Sequence, residues 1–517
     1  MSKITNPLAI VFDCGTQSTR AILFDKNGKL IAKKKIEFTP YYSLQSGWAE
    51  QRADLYFEKI CEASQALKKE YPDEFKQIVT SSITVMRDNG VCLDKELKPI
   101  RDVILWLDQR KAKAENQIPT SKKLIFGLVG MGKAVKEQMK QGKCNWIREN
   151  EPEIWAKTEK YVMLSCYLNY KLTGKLIDST ASQIGHIPFD YKNKKWMSPK
   201  DLKAEVFIIP ENMRYDLVSP CEMISEISEE ASKLTGIPKG TPIIASGSDK
   251  GCETLGTGCI TEGIASLSFG TTATIQMASN KYVEPQTFMP AYPAVVPDSY
   301  NPEIQIYRGY WMITWFKEQF AGKEVDQAKE LGISPETILD KTLEEIPAGS
   351  DGLVLQPYWS PVLKAPEAKG AIIGFSDSHT KAHLYKSIIE GIGYGLVAGY
   401  KDMEKRLKYN TTRITVSGGG SSSDQVCQIT ADMFGIPVSR VQTYETSGLG
   451  AAIAAFVGVK EFENLNDAIK SMVHYTDSFE PNSENHKVYD KIYETVYKKI
   501  YKKLKPMYSN ILDILKK

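Results

Sequence analysis

The chain is poor in the residues from which metal centres and crosslinked folds are built. Only five of its 517 residues are histidine, and its nine cysteines are scattered without one Cys-x-x-Cys pair. That spacing argues against a zinc knuckle or a disulfide framework and for reduced thiols, most of them small buried fillers. An excess of charge of one sign is also missing: 66 Lys and Arg against 63 Asp and Glu leave a formal net charge of +3. No global field draws such a chain to nucleic acid or to an anionic membrane surface. No apolar run approaches the roughly 20 residues needed to cross a bilayer. The opening, Met1 to Asp13, lacks the basic start, apolar run and small-residue cleavage site of a secretory signal. The expectation is a cytoplasmic protein without nucleic-acid or membrane partners, a homodimer being the one assembly left open.

What is present is the balance of an ordinary globular chain, 42% hydrophobic and 25% charged. The length favours two domains or more. Ala9 to Phe38 reads as three short strands, the first two joined by Asp13-Cys14-Gly15-Thr16-Gln17-Ser18-Thr19 and the next two by the hairpin signal Asp25-Lys26-Asn27-Gly28. The mixed apolar and basic run from Leu30 suits a strand toward a sheet edge. Phe57, Ile60, Ala63, Ser64 and Leu67 have helical spacing, and Ile78 to Leu93 returns to strand character. Alternation of this kind predicts an α/β fold. A similar opening recurs midway, where Ile264 to Phe269 leads into Gly270-Thr271-Thr272 and then Ala273 to Met277. Two domains of like topology are expected, residues 1–258 and 259–517, with the boundary near 255–263. The tail, Val488 to Lys517, has apolar residues at helical spacing among lysines, with Pro506 as an interruption. It fits a terminal helix docked on its own domain better than a membrane or partner helix.

Three glycine-bearing turns could hold a polyphosphate. In the first, Gly15 lets backbone N–H groups approach an anion, Thr16, Ser18 and Thr19 add hydroxyls, and Arg20 adds charge. Asp13, at the end of a strand, could hold Mg²⁺ through water. Taken alone, such a turn is usually only a turn. Gly270-Thr271-Thr272 is the second set of donors. Gly418-Gly419-Gly420, between the strand-like Arg413 to Val416 and a helical pattern from Gln425, is the third; its glycines permit close approach of a flat ligand, and Asp424 stands at the helix start. Asp249, in Ser246-Gly247-Ser248-Asp249-Lys250-Gly251, is a candidate general base, with an Asx-turn or helix cap as the plainer alternative.

Several separated segments strengthen this reading. They are Gly47-Trp48-Ala49-Glu50-Gln51, Trp106-Leu107-Asp108-Gln109-Arg110, Lys143 to Asn150, Gly370 to Phe375 and His383 to Glu390. With the opening turn, and in this order, they resemble the FGGY carbohydrate kinases, which include glycerol kinase, xylulokinase, ribulokinase and gluconate kinase. The resemblance runs through nearly the whole chain. It implies two ribonuclease H-like domains of the hexokinase–actin ATPase type flanking an interdomain cleft, and an ATP-dependent phosphotransferase using Mg²⁺. By that likeness Asp249 matches the catalytic base, and Asp13 the acidic residue near the metal, which Asp249 would share. Gly15, Thr16, Ser18, Thr19 and Arg20 fall in the first phosphate loop, Gly270, Thr271 and Thr272 in the second, and Gly418, Gly419, Gly420 and Asp424 in the adenosine loop.

The acceptor side is expected at Arg87, Asp88, Trp106, Asp108 and Lys250. Carboxylates accept hydroxyl protons, a guanidinium donates, and an indole covers a carbon face, although Arg87 and Asp88 could equally be a surface ion pair. Arg87-Asp88 is similar to the Arg-Glu of glycerol kinase and autoinducer-2 kinase, whereas Trp106 to Arg110 is similar to the sugar-kinase pattern. The balance favours a ketopentose such as xylulose or ribulose; glycerol, erythritol or an autoinducer-2 precursor are the alternatives. A nucleotide-driven actin-like protein, or an inactive sugar binder, is the non-enzymatic rival. Two other motifs carry less. Gly127 to Ala134 approximates a P-loop but ends in alanine where a Mg²⁺-binding hydroxyl belongs. His379 and His383 have zinc-helix spacing without the glutamate or a further ligand, and read as surface residues at a helix start.

Overall fold

The computed structural model describes residues 6–114, 117–118, 132–287, 289–359, 365 and 367–515. Its centre is two six-stranded mixed sheets. In the first, Leu8–Cys14 is buried at every position, which is why it reads as an unbroken apolar run rather than an alternating one. It pairs antiparallel with Ser18–Asp25, which pairs antiparallel with Leu30–Glu37 at the edge. On its other side lie Ile78–Val85 and then Pro242–Ile244, both parallel, with Met223–Glu226 antiparallel outside them. The second sheet repeats this sequence of directions with Glu303–Ile306, Ala273–Met277, Ile264–Phe269, Arg413–Ser417, Val438–Val441 and Tyr475–Phe479. The two differ at one edge: the outermost antiparallel strand precedes its neighbour in the chain in the first sheet and follows it in the second.

The helix expected from Phe57, Ile60, Ala63, Ser64 and Leu67 forms over Ala53–Glu70 and buries those residues. The segment Ile78 to Leu93 is two strands rather than one, Ile78–Val85 and Gly90–Leu93. The chain breaks between them at Asp88, whose φ is 57°, and the break is what carries Arg87 and Asp88 out of the sheet.

The halves interlock through two helices. Thr446–Gly458 follows a strand of the second sheet, yet its Leu449, Ala452 and Phe456 join one apolar cluster with Val11, Ile22 and Phe24 of the first. It crosses Asp249–Gly256 with the backbones in contact. A Cβ on Gly450 would lie 1.9 Å from the Cys252 carbonyl oxygen, and one on Gly256 would lie 2.0 Å from that of Thr446. Neither carbonyl can rotate away without breaking its helix. Gly450→Ala is therefore expected to cost about 2 kcal/mol or more and to lower the Tm by several degrees; a Tm within one degree of wild type, measured by calorimetry, would contradict this packing.

The long helix Lys381–Leu407 carries a buried carboxylate at Glu390. It accepts from Gly349 N at 3.0 Å, Ser350 Oγ at 2.8 Å and the Tyr489 hydroxyl at 2.8 Å. Burial outweighs these donors and pushes its pKa up to about 7. A folded-state pKa above the unfolded one means that the native state holds the proton longer. Stability from this group is therefore full below pH ~4.5 and is lost as pH rises through 7, by about 3 kcal/mol in all. Glu390→Gln is expected to flatten the fall in Tm between pH 5 and 8 measured by thermal melts; an unchanged slope would contradict the assignment.

The C-terminal segment docks at home. Tyr489, Tyr493, Tyr497 and Ile500 enter the core of the second half. The last helix, Lys498–Leu515, runs through Pro506 instead of stopping there. Proline already has a helical φ, and on a face flanked by exposed residues water can satisfy the carbonyl it orphans. His383 is buried, not at the surface. Its ring caps the backbone N–H of Thr380 at 3.2 Å and meets Asp351 at 3.0 Å. Among the described residues no group of His, Cys, Asp or Glu could hold a metal by itself, and no helix is long and apolar enough to cross a membrane. The P-loop-like segment lies outside the described residues up to Met131.

Candidate active site

The loop after Pro242–Ile244 is tied to the neighbouring strand by Ser82 Oγ to the Ile244 carbonyl at 2.8 Å and Thr84 Oγ to that of Gly247 at 3.1 Å. It ends in helix Asp249–Gly256. The helix cap is Ser248, whose Oγ accepts from Gly251 N at 3.3 Å and from Arg87 Nε at 3.1 Å. Asp249 is thus relieved of capping. Among the described residues its carboxylate accepts only the N–H of Lys250, at 2.8 Å; it lies 3.8 Å from Arg87 Nε and is 32% exposed. Desolvation raises its pKa against the opposing charges of Arg87 and Lys250.

Asp13, one residue before the end of its strand, lies directly opposite Arg20 in the hairpin register, and their side chains pair at 2.7 Å. Burial pushes Asp13 up to about 6 despite Arg20, and the nearby carboxylates of Glu445 and Asp249 add to the rise. A buried carboxylate raised by acidic neighbours in this way gains from a cation beside it. Gly15 closes the turn through its N–H to the Ser18 carbonyl at 3.0 Å, and Thr16 Oγ accepts from Trp106 Nε1 at 3.0 Å. Ser18 and Thr19 depart from expectation. They belong to the strand and are buried at 5% and 0% exposure, so their hydroxyls do not line the turn.

Gly270-Thr271-Thr272 connects two adjacent strands of the second sheet, and the Gly270 carbonyl accepts from Tyr310 N at 3.1 Å. The Gly418 to Gly420 loop lies against it: a Cβ on Gly418 would be 2.9 Å from the backbone of Phe269, and one on Gly420 would be 2.5 Å from the Tyr310 ring. The bulky residue at 310 is accommodated because position 420 has no side chain. Asp424 begins the following helix, but Ser423 caps it, and the Asp424 carboxylate turns outward to Arg440 at 2.7 Å.

Lys250 does not face the acceptor side. Its ammonium bonds Glu253 and Ser268 Oγ, each at 2.6 Å, and lies 4.0 Å from the position of a Cβ on Gly270. Burial disfavours that charge, but Glu253 and Asp249 more than restore it, so Lys250 is a fixed cation beside the second turn. Asp108 is likewise engaged: it takes Ala49 N at 2.6 Å and a two-point bond from Arg110 at 2.9 Å, with 1% of its side chain exposed. Arg110 in turn stacks over Trp48 at 3.8 Å and Trp146 at 4.6 Å and pairs with Glu50. The Trp106 to Arg110 and Gly47 to Gln51 motifs therefore lock this region together, leaving the half-exposed Trp106 ring as their contribution to an open surface.

Arg87 and Asp88 are not a surface pair and do not pair with each other. Arg87 Nη1 contacts both carboxylate oxygens of Glu303, at 2.9 Å each, across from the second sheet, with the Tyr292 ring 5.0 Å from the guanidinium. Asp88 binds Lys143 Nζ at 2.9 Å and the His186 ring and backbone N at 2.9 Å. Burial opposes its charge, but Lys143 and His186 hold it well below the usual carboxylate range.

Family models match both halves: the N-terminal domain of the FGGY family of carbohydrate kinases over residues 8–256, and its C-terminal domain over 265–459. The chain belongs to the FGGY family of carbohydrate kinases. It is 28% identical over 488 residues to the xylulose kinase of Lactococcus lactis subsp. lactis, covering 92% of this chain and 93% of that one. It is 26% identical over 482 residues to the gluconokinase of Bacillus licheniformis, covering 92% of each. The solved xylulose kinase of Lactobacillus acidophilus shares the fold at a TM-score of 0.82 and 22% identity, over 98% of this chain and 100% of that one. The enzyme class is that of an ATP-dependent carbohydrate kinase acting on a sugar. Within this FGGY chain, sequence reasoning found no sign of Glu303, His186 and Tyr292 as neighbours of the site, whereas Lys143 and Ser248 stand in quoted motifs without a role assigned to them.

Proposed function

We propose that this FGGY kinase transfers the γ-phosphoryl group of Mg-ATP to a hydroxyl of a small sugar or polyol, preferring a ketopentose such as xylulose or ribulose, with Asp249 as general base. The observation that carries this reading is the Asp249 carboxylate, freed from capping by Ser248 and raised in pKa beside Arg87. A base of that kind accepts the acceptor hydroxyl's proton as its oxygen attacks phosphorus and ADP departs. Arg87 and the half-exposed Trp106 orient the acceptor. Gly15, Thr16 and Arg20 with Gly270, Thr271 and Thr272 donate to phosphate oxygens, and Lys250 stands by as a fixed cation. Gly418 to Gly420 leave room for the adenosine. In this proposal Asp108 and the outward-turned Asp424 have supporting roles.

Asp13 and Asp249 suit Mg²⁺, which keeps most of its waters and needs one or two carboxylates beside the substrate phosphates rather than a protein cage. When bound, the ion would offset charge on the phosphate oxygens. Named xylulose kinases among the relatives support the ketopentose preference. A cytoplasmic location belongs to the same proposal. The test is ADP release, coupled to an indicator, across xylulose, ribulose, fuculose, erythritol and glycerol. The reading expects acceptor-dependent ADP with its highest kcat/KM on a ketopentose; ADP formed equally without any acceptor would overturn it.

A further inference from the structure

The charges around Asp249 say more about the acceptor than its class. The cation nearest the base, Arg87, is already neutralised. Glu303, only 1% exposed, holds it by two oxygens and is itself fixed by Gln276 Nε2. The fixing is a matter of register: Gln276 and Glu303 are direct partners in the antiparallel pair of the second sheet. The next cation, Lys250, is held by Glu253, and Lys143 is consumed by Asp88, which also engages the His186 ring. Asp88, Asp249, Glu253 and Glu303 thus outnumber Arg87, Lys143 and Lys250 among these residues. One donor group is left over: Arg87 Nη2 is buried and has no partner among the described residues. A stranded donor is costly unless a ligand meets it, and the two N–H groups of this nitrogen suit hydroxyl or carbonyl oxygens. A carboxylate would arrive among these acidic groups with each of the cations named here already paired, and an unpaired buried charge is strongly disfavoured.

We infer that this pocket is built for an uncharged polyhydroxylated acceptor and rejects sugar acids, with Glu303, reaching over from the nucleotide-binding half, as the residue that sets this charge selectivity. The inference rests on the kinase reading above and narrows it, since relatives of similar identity carry the names xylulose kinase and gluconokinase.

The experiment measures kcat/KM by coupled ADP release on ketopentoses and polyols against gluconate and other aldonates, for wild type and for Glu303→Gln. Wild type is expected to favour neutral acceptors by at least ~100-fold, the scale of an uncompensated charge. Glu303→Gln frees the Arg87 charge while keeping the side chain's shape. It is expected to raise kcat/KM on the acids at least ~10-fold and to lower it on neutral acceptors. If the variant does not fold, the wild-type ratio decides, with inhibition by aldonates as a second reading: millimolar or weaker competition supports the inference. Wild-type turnover of an aldonate equal to or better than that of any neutral acceptor overturns it while leaving the kinase intact, as does a folded Glu303→Gln whose ratio is unchanged. ADP release that no acceptor of either kind increases sinks the kinase reading, and this inference with it.

Discussion

Asp249→Asn leaves ATP binding nearly unchanged and cuts kcat by at least ~10²-fold, the usual worth of a positioned base. The amide fills the same volume at the first residue of helix Asp249–Gly256, and Ser248 continues to cap that helix, so the backbone has no reason to move. What is lost is a group able to take a proton. Because desolvation raises the pKa of Asp249, wild-type kcat falls, as pH is lowered, at a higher pH than an ordinary aspartate would give. That limb disappears from the residual rate of the variant. Equilibrium binding of an ATP analogue together with single-turnover rates checks both statements. Wild-type turnover in the folded variant would remove Asp249 from the role of base.

Arg87→Ala has two expected effects of different origin. The acceptor KM rises at least ~10-fold while the ATP KM changes little, if Arg87 orients the acceptor as proposed. Stability also falls, by about 3–5 kcal/mol, because Glu303 is left as a buried carboxylate without its partner. Adding Glu303→Gln separates the two: the double variant should recover most of the Tm but not the acceptor KM. Thermal melts and initial rates on the single and double variants are the measurement. If the second change also restored KM, Arg87 would act through folding rather than through substrate contact.

The parts of this molecule legible in the sequence are those whose physics is local. The turns at Gly15, Gly270 and Gly418 announce themselves because a backbone that must bend or pack closely needs glycine, and Leu8–Cys14 because a strand buried on both faces is continuously apolar. Side-chain direction is not local. Whether Thr19 faces the turn or the interior is set by its pairing with Cys14, and whether Lys250 faces the acceptor or the second turn is set by Glu253 and Ser268. Asp108 has the right chemistry for a sugar and is spent on Arg110. Glu303 is 216 residues from Arg87, in a strand with no motif, and becomes a neighbour only when the two halves are brought together. The matching order of strands in the two sheets was hinted at by the repeated strand–turn–strand, but the crossing of Thr446–Gly458 onto the opposite half had no such signal.

The most direct test of the account is a crystal structure with a non-hydrolysable ATP analogue and the preferred acceptor bound together. It should show a carboxylate oxygen of Asp249 within about 2.6–3.2 Å of one acceptor hydroxyl, with that hydroxyl facing the terminal phosphate. An acceptor hydroxyl facing the phosphate while Asp249 points elsewhere, or a nucleotide bound away from the turns at Gly15, Gly270 and Gly418, would contradict it.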